Sequence, residues 1–148
     1  MEINLVAIGA AIALGFAGFG VTLGQANIAK TSMDILGKNP RIAPTLLVYT
    51  ILGLALTESA AIYALVVAFQ IIAGGEAIAA SAIWIGLVIG LTGGIAGYGE
   101  GKLVATAMEA LNRNPENKTQ VLQFMVLFLA LLEVIAIYGL IVSFQLLG

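Results

Sequence analysis

The chain has 148 residues, of which 61% are hydrophobic and 9% are charged, and its formal net charge is −2. A soluble domain carries about 25% charged residues, so this composition indicates an integral membrane protein. The sequence contains no cysteine and no histidine, which excludes a thiolate nucleophile, a haem or zinc site with the usual ligands, and an imidazole proton shuttle. No basic run suggests a nucleic-acid partner.

Four apolar segments follow one another, each longer than the roughly 20 residues that a helix needs to cross a bilayer. The breaks between them are short and polar, and two of them contain proline. We therefore predict an all-α membrane protein with two tandem transmembrane helical hairpins, whose segments cover about 3–36, 45–73, 77–111 and 120–147. Gly37, which precedes Lys38, Asn39 and Pro40, is the expected glycine cap of the first helix.

The two halves of the chain repeat at a constant offset of 75 positions. We therefore expect a first hairpin over residues 1–75 and a second over residues 76–148, both with the same orientation in the membrane. The equivalent pairs include Asn39 and Asn114, Glu58 and Glu133, and Tyr63 and Tyr138.

The positive charges indicate the orientation. The end away from the Asn-Pro loops carries Glu2 and Glu76. By the positive-inside rule we expect the Asn-Pro loops in the cytoplasm and both termini outside. The predicted location is a prokaryotic cell membrane, in which the chain is a multi-pass protein. The six basic residues near the Asn-Pro loops are Lys30, Lys38, Arg41, Lys102, Arg113 and Lys118.

Two carboxylates stand out because each interrupts a long apolar run. A charge in the middle of a membrane helix costs roughly 3 kcal/mol on translocon scales, so Glu58 and Glu133 are functional candidates. Gln25 and Glu100 each precede an Asn-Pro loop by the same number of residues. Folding the hairpins therefore brings Gln25 level with Glu58, and Glu100 level with Glu133. Such oxygen-rich groups suit hard cations, and a proton could use the same carboxylates.

Helices one and three are rich in small residues, whereas helices two and four carry bulkier Leu, Val, Ile and Phe. Small residues spread around a helix let neighbours approach on both sides. We therefore expect helices one and three to form the closely packed inside of an assembly and helices two and four its outside. The small residues that recur at every second position of the first helix are Gly18, Gly20, Thr22, Gly24 and Ala26.

Together these features resemble the membrane-rotor proteolipid, or c subunit, of rotary ATP synthases and ATPases, in a duplicated four-helix form. The glycine-rich helices, the two Asn-Pro loops and the mid-helix Glu58 and Glu133 carry the resemblance, which covers nearly the whole chain. The loops are similar to those of the F-type family. The duplicated length is similar to that of the vacuolar and archaeal proteolipids, in which one hairpin often lacks its carboxylate.

The resemblance implies a non-catalytic subunit without a cofactor, in a ring of copies of the chain surrounded by membrane lipid. Each carboxylate would carry an ion past the Arg of the stator's a subunit, and ring rotation would drive the central-stalk subunits and thereby couple to ATP chemistry in the partners. The residues expected to face the central stalk are Lys38, Asn39, Pro40, Arg41, Arg113, Asn114 and Pro115.

Na⁺ is the expected transported ion, with H⁺ as the alternative. Gln25, Glu58, Ser59 and Tyr63 resemble the sodium-binding signature of the family, in which the backbone carbonyl two residues before the Glu, here that of Leu56, also coordinates. The second half departs from this signature. The full set of expected sodium-site residues is Gln25, Glu58, Glu100, Glu133 and Ser59.

In the family, the hydroxyl and the carbonyl come from the neighbouring hairpin. Ser59 and the Leu56 carbonyl would then complete the Glu100/Glu133 site. The other site would receive Val134 and the Leu131 carbonyl, so the two sites are expected to be unequal. Glu100 would stay protonated beside a bound Na⁺, whereas two carboxylates sharing one proton would form an H⁺ site. Tyr138, the equivalent of Tyr63, is a further candidate.

Three alternatives to a sodium rotor stay open. A proton-specific proteolipid of a vacuolar or archaeal ATPase would share most of these features. A small four-helix cation or multidrug transporter would need an aromatic-lined pocket, but Trp84, the single tryptophan, lies far from both glutamates in the sequence. A purely structural tetraspanning protein would not place two equivalent carboxylates in lipid.

Overall fold

The computed structural model describes residues 4–148, and this part of the chain is helical, as predicted. It consists mainly of four long helices: α1 (Leu5–Lys38), α2 (Ala43–Gly74), α3 (Ala79–Arg113) and α4 (Lys118–Leu147). The observed helix ends lie within two residues of the expected ones. The expected start of the first segment at Ile3, and the charge at Glu2, lie outside the described residues.

The prediction that Gly37 caps α1 is wrong. Gly37 lies inside the last turn of the helix, and Asn39 is the capping residue, with φ −140° and ψ 73°. The physical reason is Pro40, because a proline disfavours the helical conformation of the residue before it. Asn39 therefore becomes extended, and its N–H donates to the Ile35 carbonyl at 2.7 Å. Asn114 ends α3 in the same way, ahead of Pro115.

Three stretches of the described chain are long and apolar enough to cross a membrane: Leu5–Lys38, Pro40–Arg113 and Pro115–Leu147. The middle stretch contains both α2 and α3. These helices are joined by the 3₁₀ turn Gly75–Ile78 and pack against each other. Gly75 has φ 54°, a conformation that glycine adopts without a steric penalty, and this allows the chain to reverse direction there.

The most extensive helix contact joins α1 and α3. A Cβ atom added at Gly20 would collide with the backbone of Gly94, and one added at Gly24 would collide with Gly97. Glycine at these positions allows the two backbones to approach closely. The small residues of the two helices therefore build a tight central pair, on which α2 and α4 pack.

Other small residues of α1 face away from α3. A Cβ atom added at Gly15 or Gly18 would meet no atom within 4 Å beyond its chain neighbours and the backbone of its own helix turn. The small residues of α1 therefore occupy two faces of the helix, as expected, and only one of these faces is covered within the chain.

The size of the buried clusters changes along the helices of the described chain. One large cluster lies toward the Asn-Pro loops and includes Leu46 and Leu129, and another lies toward the opposite end and includes Ile71. Between them lies a small cluster of Val21, Ala60, Ala96 and Ala136. Gln25, Glu58, Glu100 and Glu133 all come within four residues of a member of this small cluster, so the four polar groups share one level of the bundle.

Candidate ion-binding site

The Glu133 carboxylate lies in a pocket of about 270 Å³ to which both hairpins contribute. Ser59, from α2, lies with its hydroxyl oxygen 2.8 Å from Glu133 Oε1 and 2.6 Å from the Leu56 carbonyl oxygen, and it can donate to either. The first hairpin therefore places a hydroxyl and a backbone carbonyl beside the carboxylate of the second hairpin.

Glu100 lines the same pocket and is 1% exposed. Neither of its carboxyl oxygens has a hydrogen-bond partner among the described residues. Its close neighbour is the carboxyl group of Glu133. Two ionised carboxylates repel each other and offer no donor to each other. A proton or a cation between them would remove this unfavourable contact, so the pair is suited to holding a positive charge.

Tyr63 completes the polar part of the pocket, since its phenol lies close to Glu133 and Ser59. The apolar wall comes from three residues that the sequence interpretation did not include: Val126, Leu129 and Ala130. They lie seven, four and three positions before Glu133, on the same face of α4. This helical spacing is the signal from which they could have been predicted.

Gln25 and Glu58 form a second, more open group. The Gln25 amide nitrogen donates to Glu58 Oε2 at 2.6 Å, which leaves the amide oxygen of Gln25 available. Glu58 is exposed and Gln25 is half-buried. In the described part of the chain no second-hairpin side chain forms a hydrogen bond to this pair. One chain therefore contains one carboxylate site between its two hairpins and one partial site at its surface.

The second-hairpin residues expected at the partial site point elsewhere in the single chain. Leu131 is 62% exposed, Tyr138 is 59% exposed, and Val134 is half-buried. They occupy positions on α4 equivalent to Leu56, Tyr63 and Ser59 on α2. The surface of α4 therefore carries the counterpart of the group that completes the Glu133 pocket, with a valine in place of the serine.

No group of three or more His, Cys, Asp and Glu side chains among residues 4–148 could hold a metal ion. A cation at either carboxylate would therefore need amide, hydroxyl or backbone carbonyl oxygens as additional ligands. The Glu133 site offers a hydroxyl and a carbonyl, and the Glu58 site offers an amide. Such neutral oxygen ligands, with one or two carboxylates, suit a hard cation.

The two Asn-Pro loops lie at the same end of the bundle. The Asn39 side-chain amide donates to the Asn112 amide oxygen at 3.1 Å, which ties the first loop to the end of α3. Arg113 forms an exposed ion pair with Glu109 at 3.9 Å, whereas Arg41 is exposed at the turn after α1. Contact between these loops and a central stalk stays a prediction.

Comparison with known proteins identifies relatives about half as long as this chain. Residues of this chain are 41% identical over 69 positions to the ATP synthase c subunit of Chloroflexus aurantiacus, covering 47% of this chain and 88% of that protein. The chloroplastic ATP synthase c subunit of Cyanidioschyzon merolae is 42% identical over 69 positions, covering 47% and 85%. The ATP synthase c subunit of Desulfotalea psychrophila is 38% identical over 67 positions, covering 45% and 81%.

The family model for the ATP synthase C subunit matches the chain twice, over residues 8–71 and over residues 83–146. The first match contains α2 with Glu58, and the second contains α4 with Glu133. The two matched ranges are displaced by the same 75 positions that relate the halves of the sequence. The chain therefore belongs to the ATP synthase C-subunit family, of which it carries two copies in tandem.

Proposed function

We propose that this chain is a rotor-ring subunit of a rotary ATP synthase or ATPase, and that it carries Na⁺ on Glu58 and Glu133. Ion movement past a stator subunit would turn the ring and the central stalk. The chain would cross the membrane four times, as hairpins 1–75 and 76–148, with the Asn-Pro loops in the cytoplasm. Membership of the C-subunit family and the apolar helices support this role.

The proposal rests on one observation: the Ser59 hydroxyl oxygen of the first hairpin lies 2.8 Å from Glu133 Oε1 of the second hairpin. A structural serine in a helix bonds to its own backbone, and Ser59 does reach the Leu56 carbonyl. Its simultaneous closeness to a carboxylate on another helix brings three oxygen atoms together. Such a group would bind a cation that removes the carboxylate charge before the site faces lipid.

The open site supports a ring. Glu58 and Gln25 lie at one surface of the chain, and Leu131, Val134 and Tyr138 lie on α4. In a ring of identical chains, α4 of one copy would complete the Glu58 site of the next, as α2 completes the Glu133 site within one chain. Sites within and between chains would then alternate around the ring.

Proton transport is the second candidate, and one observation favours it. Glu100 has no hydrogen-bond partner among the described residues and lies beside Glu133. A proton shared by the two carboxyl groups would form a hydrogen bond between them, so that each group would have a partner. A bound Na⁺ neutralises only one negative charge, so sodium binding at this site also needs a proton on Glu100.

Carbodiimide labelling of the purified protein over a pH series, with and without Na⁺, tests the proposal. The reagent attacks protonated buried carboxyl groups, and peptide mass spectrometry separates Glu58 from Glu133. Labelling that Na⁺ prevents would support the sodium rotor. Labelling that Na⁺ leaves unchanged would support the proton rotor, and no labelling of either residue at any pH would contradict an ion-carrying role.

A further inference from the structure

A groove of about 320 Å³ runs along the surface of the bundle between α1 and α3. Nothing in the described chain covers it, since Phe19 and Ile95 are 68% and 67% exposed. Its occupant must therefore be apolar over most of its length. The large side chains that line the groove are apolar or aromatic: Phe16, Phe19, Leu23, Leu91, Ile95 and Tyr98.

Two lysines stand at the end of this groove that is nearer the Asn-Pro loops. Lys102 follows Tyr98 by one helical turn, and its Nζ lies 5.4 Å from the centre of the Tyr98 ring. Lys30 follows Leu23 by two turns, on the same face of α1. Within residues 4–148 neither lysine forms an ion pair, not even with Asp34, one turn beyond Lys30. The groove thus ends in two exposed and unpaired positive charges.

The apolar band on this face has the length of a bilayer core. Trp84, Leu91, Ile95, Tyr98 and Lys102 follow one another at helical spacing on the outer face of α3. Trp84 is 65% exposed, and tryptophan and tyrosine are enriched at membrane interfaces. Trp84 and Lys102 lie about 27 Å apart along the helix, close to the roughly 30 Å of hydrocarbon in a bilayer. This face therefore has one lipid boundary at Trp84 and the other at Tyr98 and Lys102.

The boundary at Lys102 is displaced from the boundary on the opposite surface. Lys102 lies two residues beyond Glu100, whereas Lys118, at the start of α4, lies 15 residues from Glu133. Because Glu100 and Glu133 share one level of the bundle, the two lysines differ in height by about 20 Å. One flat bilayer surface cannot meet both lysines. Lipid in the groove is therefore distinct from lipid around α4, and its headgroup lies nearer the level of the carboxylates.

We propose that the groove binds one anionic phospholipid, whose phosphate interacts with Lys30 and Lys102 and whose acyl chain lies along Phe19 and Ile95. The charge selects this occupant. A lysine at this depth is unfavourable in hydrocarbon, and an anionic headgroup supplies the missing counter-charge. A zwitterionic lipid also has a phosphate, but it brings a positive charge of its own. The proposal goes beyond the rotor function, and it does not depend on which ion the carboxylates carry.

Quenching of tryptophan fluorescence by brominated lipids tests the proposal. Trp84→Phe combined with Leu91→Trp moves the single tryptophan into the groove. This variant is reconstituted into phosphatidylcholine vesicles that contain the same fraction of brominated phosphatidylglycerol or brominated phosphatidylcholine. Each lysine beside an anionic headgroup favours it about fivefold, so we expect a preference of about 10- to 30-fold for phosphatidylglycerol at low ionic strength.

Substitution of the lysines should remove this preference. Lys30→Gln or Lys102→Gln alone should lower it about fivefold, and the two together should abolish it. Lys102→Arg, which keeps the charge, should retain it. Lys118→Gln, a lysine substitution on the opposite surface, should change it by less than a factor of about two. Both groove lysines are exposed, so these substitutions leave the packed helices intact.

A tryptophan on α4 provides the matched control. In Trp84→Phe with Phe128→Trp, the fluorophore lies at an exposed position outside the groove. Its relative quenching by the two lipids should be the same with and without the Lys30→Gln and Lys102→Gln substitutions. Each variant is compared with itself in two lipids, so differences in the depth of the tryptophan cancel.

Three results would overturn the proposal. Equal quenching by both lipids at position 91 would show that bulk lipid fills the groove. An absence of quenching by either lipid would show that protein, such as a second copy of the chain, covers it. A preference for phosphatidylglycerol that survives in the double glutamine variant would show that the two lysines do not select the lipid. None of these results bears on the ion-carrying role, which carbodiimide labelling tests separately.

Discussion

Replacing Ser59 with alanine should separate the two carboxylate sites. The substitution removes a single oxygen atom, which lies 2.8 Å from Glu133 Oε1 and 2.6 Å from the Leu56 carbonyl. Alanine has a higher helix propensity than serine, so α2 should remain intact. The Glu133 site loses the Ser59 hydroxyl, whereas the Gln25–Glu58 hydrogen bond does not involve Ser59.

The size of the effect follows from the loss of one contact to a charged group. Such contacts contribute about 1.5–3 kcal/mol, and each 1.4 kcal/mol corresponds to about a tenfold change in affinity. We therefore expect the Na⁺ concentration that protects Glu133 from carbodiimide to rise roughly 10- to 100-fold. The concentration that protects Glu58 in the same chain should stay within a factor of about two, because its contacts are unchanged.

Peptide mass spectrometry of the labelled protein measures both residues in one sample, so Glu58 serves as an internal control. Val134→Ser is the matched variant, since Val134 is the repeat equivalent of Ser59. It adds a hydroxyl to the α4 surface and should lower the protecting Na⁺ concentration at Glu58 alone. An unchanged value at Glu133 in Ser59→Ala, or equal shifts at both glutamates, would refute the assignment of Ser59 to the Glu133 site.

Three further substitutions test the packing by thermal unfolding in detergent. Tyr49→Phe removes the hydrogen bond from the Tyr49 hydroxyl to the Lys118 carbonyl and should cost about 1 kcal/mol, without changing sodium protection at either glutamate. Ser143→Ala removes a buried hydroxyl without a hydrogen-bond partner in the described chain, so stability should be unchanged or higher, and a loss above about 1 kcal/mol would contradict this. Gly20→Val drives a side chain into the Gly94 backbone and should destabilise the chain by at least about 1–3 kcal/mol, whereas Gly37→Ala, in open space, should not destabilise it.

The helices could be predicted from the sequence because their signals are local. Long apolar runs and Asn-Pro breaks predicted helix ends that lie within two residues of the observed helix ends. The cap at Gly37 was predicted wrongly because a glycine was weighed above the following proline, which acts on Asn39. Local patterns also could not say which small residues of α1 face α3. Gly20 and Gly18 look alike in the sequence, and only packing shows that one is covered and the other is open.

The candidate site was only partly predictable. Hairpin geometry predicted the Gln25–Glu58 pair, which is now seen as a hydrogen bond of 2.6 Å. The closeness of Ser59 to Glu133 was expected only from the family resemblance, since it depends on how two hairpins pack side by side. Glu100 was expected beside Glu133, but nothing in the sequence indicated that Glu100 would lack a hydrogen-bond partner in the described chain. Contacts between distant segments depend on tertiary packing, which periodicity does not specify.

The two sites can transport equal charge although their residues differ. Under the proposed function, a site that faces lipid must be neutral, so Glu58 needs one positive charge and the Glu100/Glu133 pair needs two. Glu100 is 1% exposed, whereas Glu133 lies on the partly exposed side of the pocket. Exchange with a stator channel would therefore occur at Glu133, while the charge that neutralises Glu100 stays bound. Each hairpin would then exchange one ion each time it passes the stator. The residues of one site could therefore differ from those of the other without altering the number of ions carried.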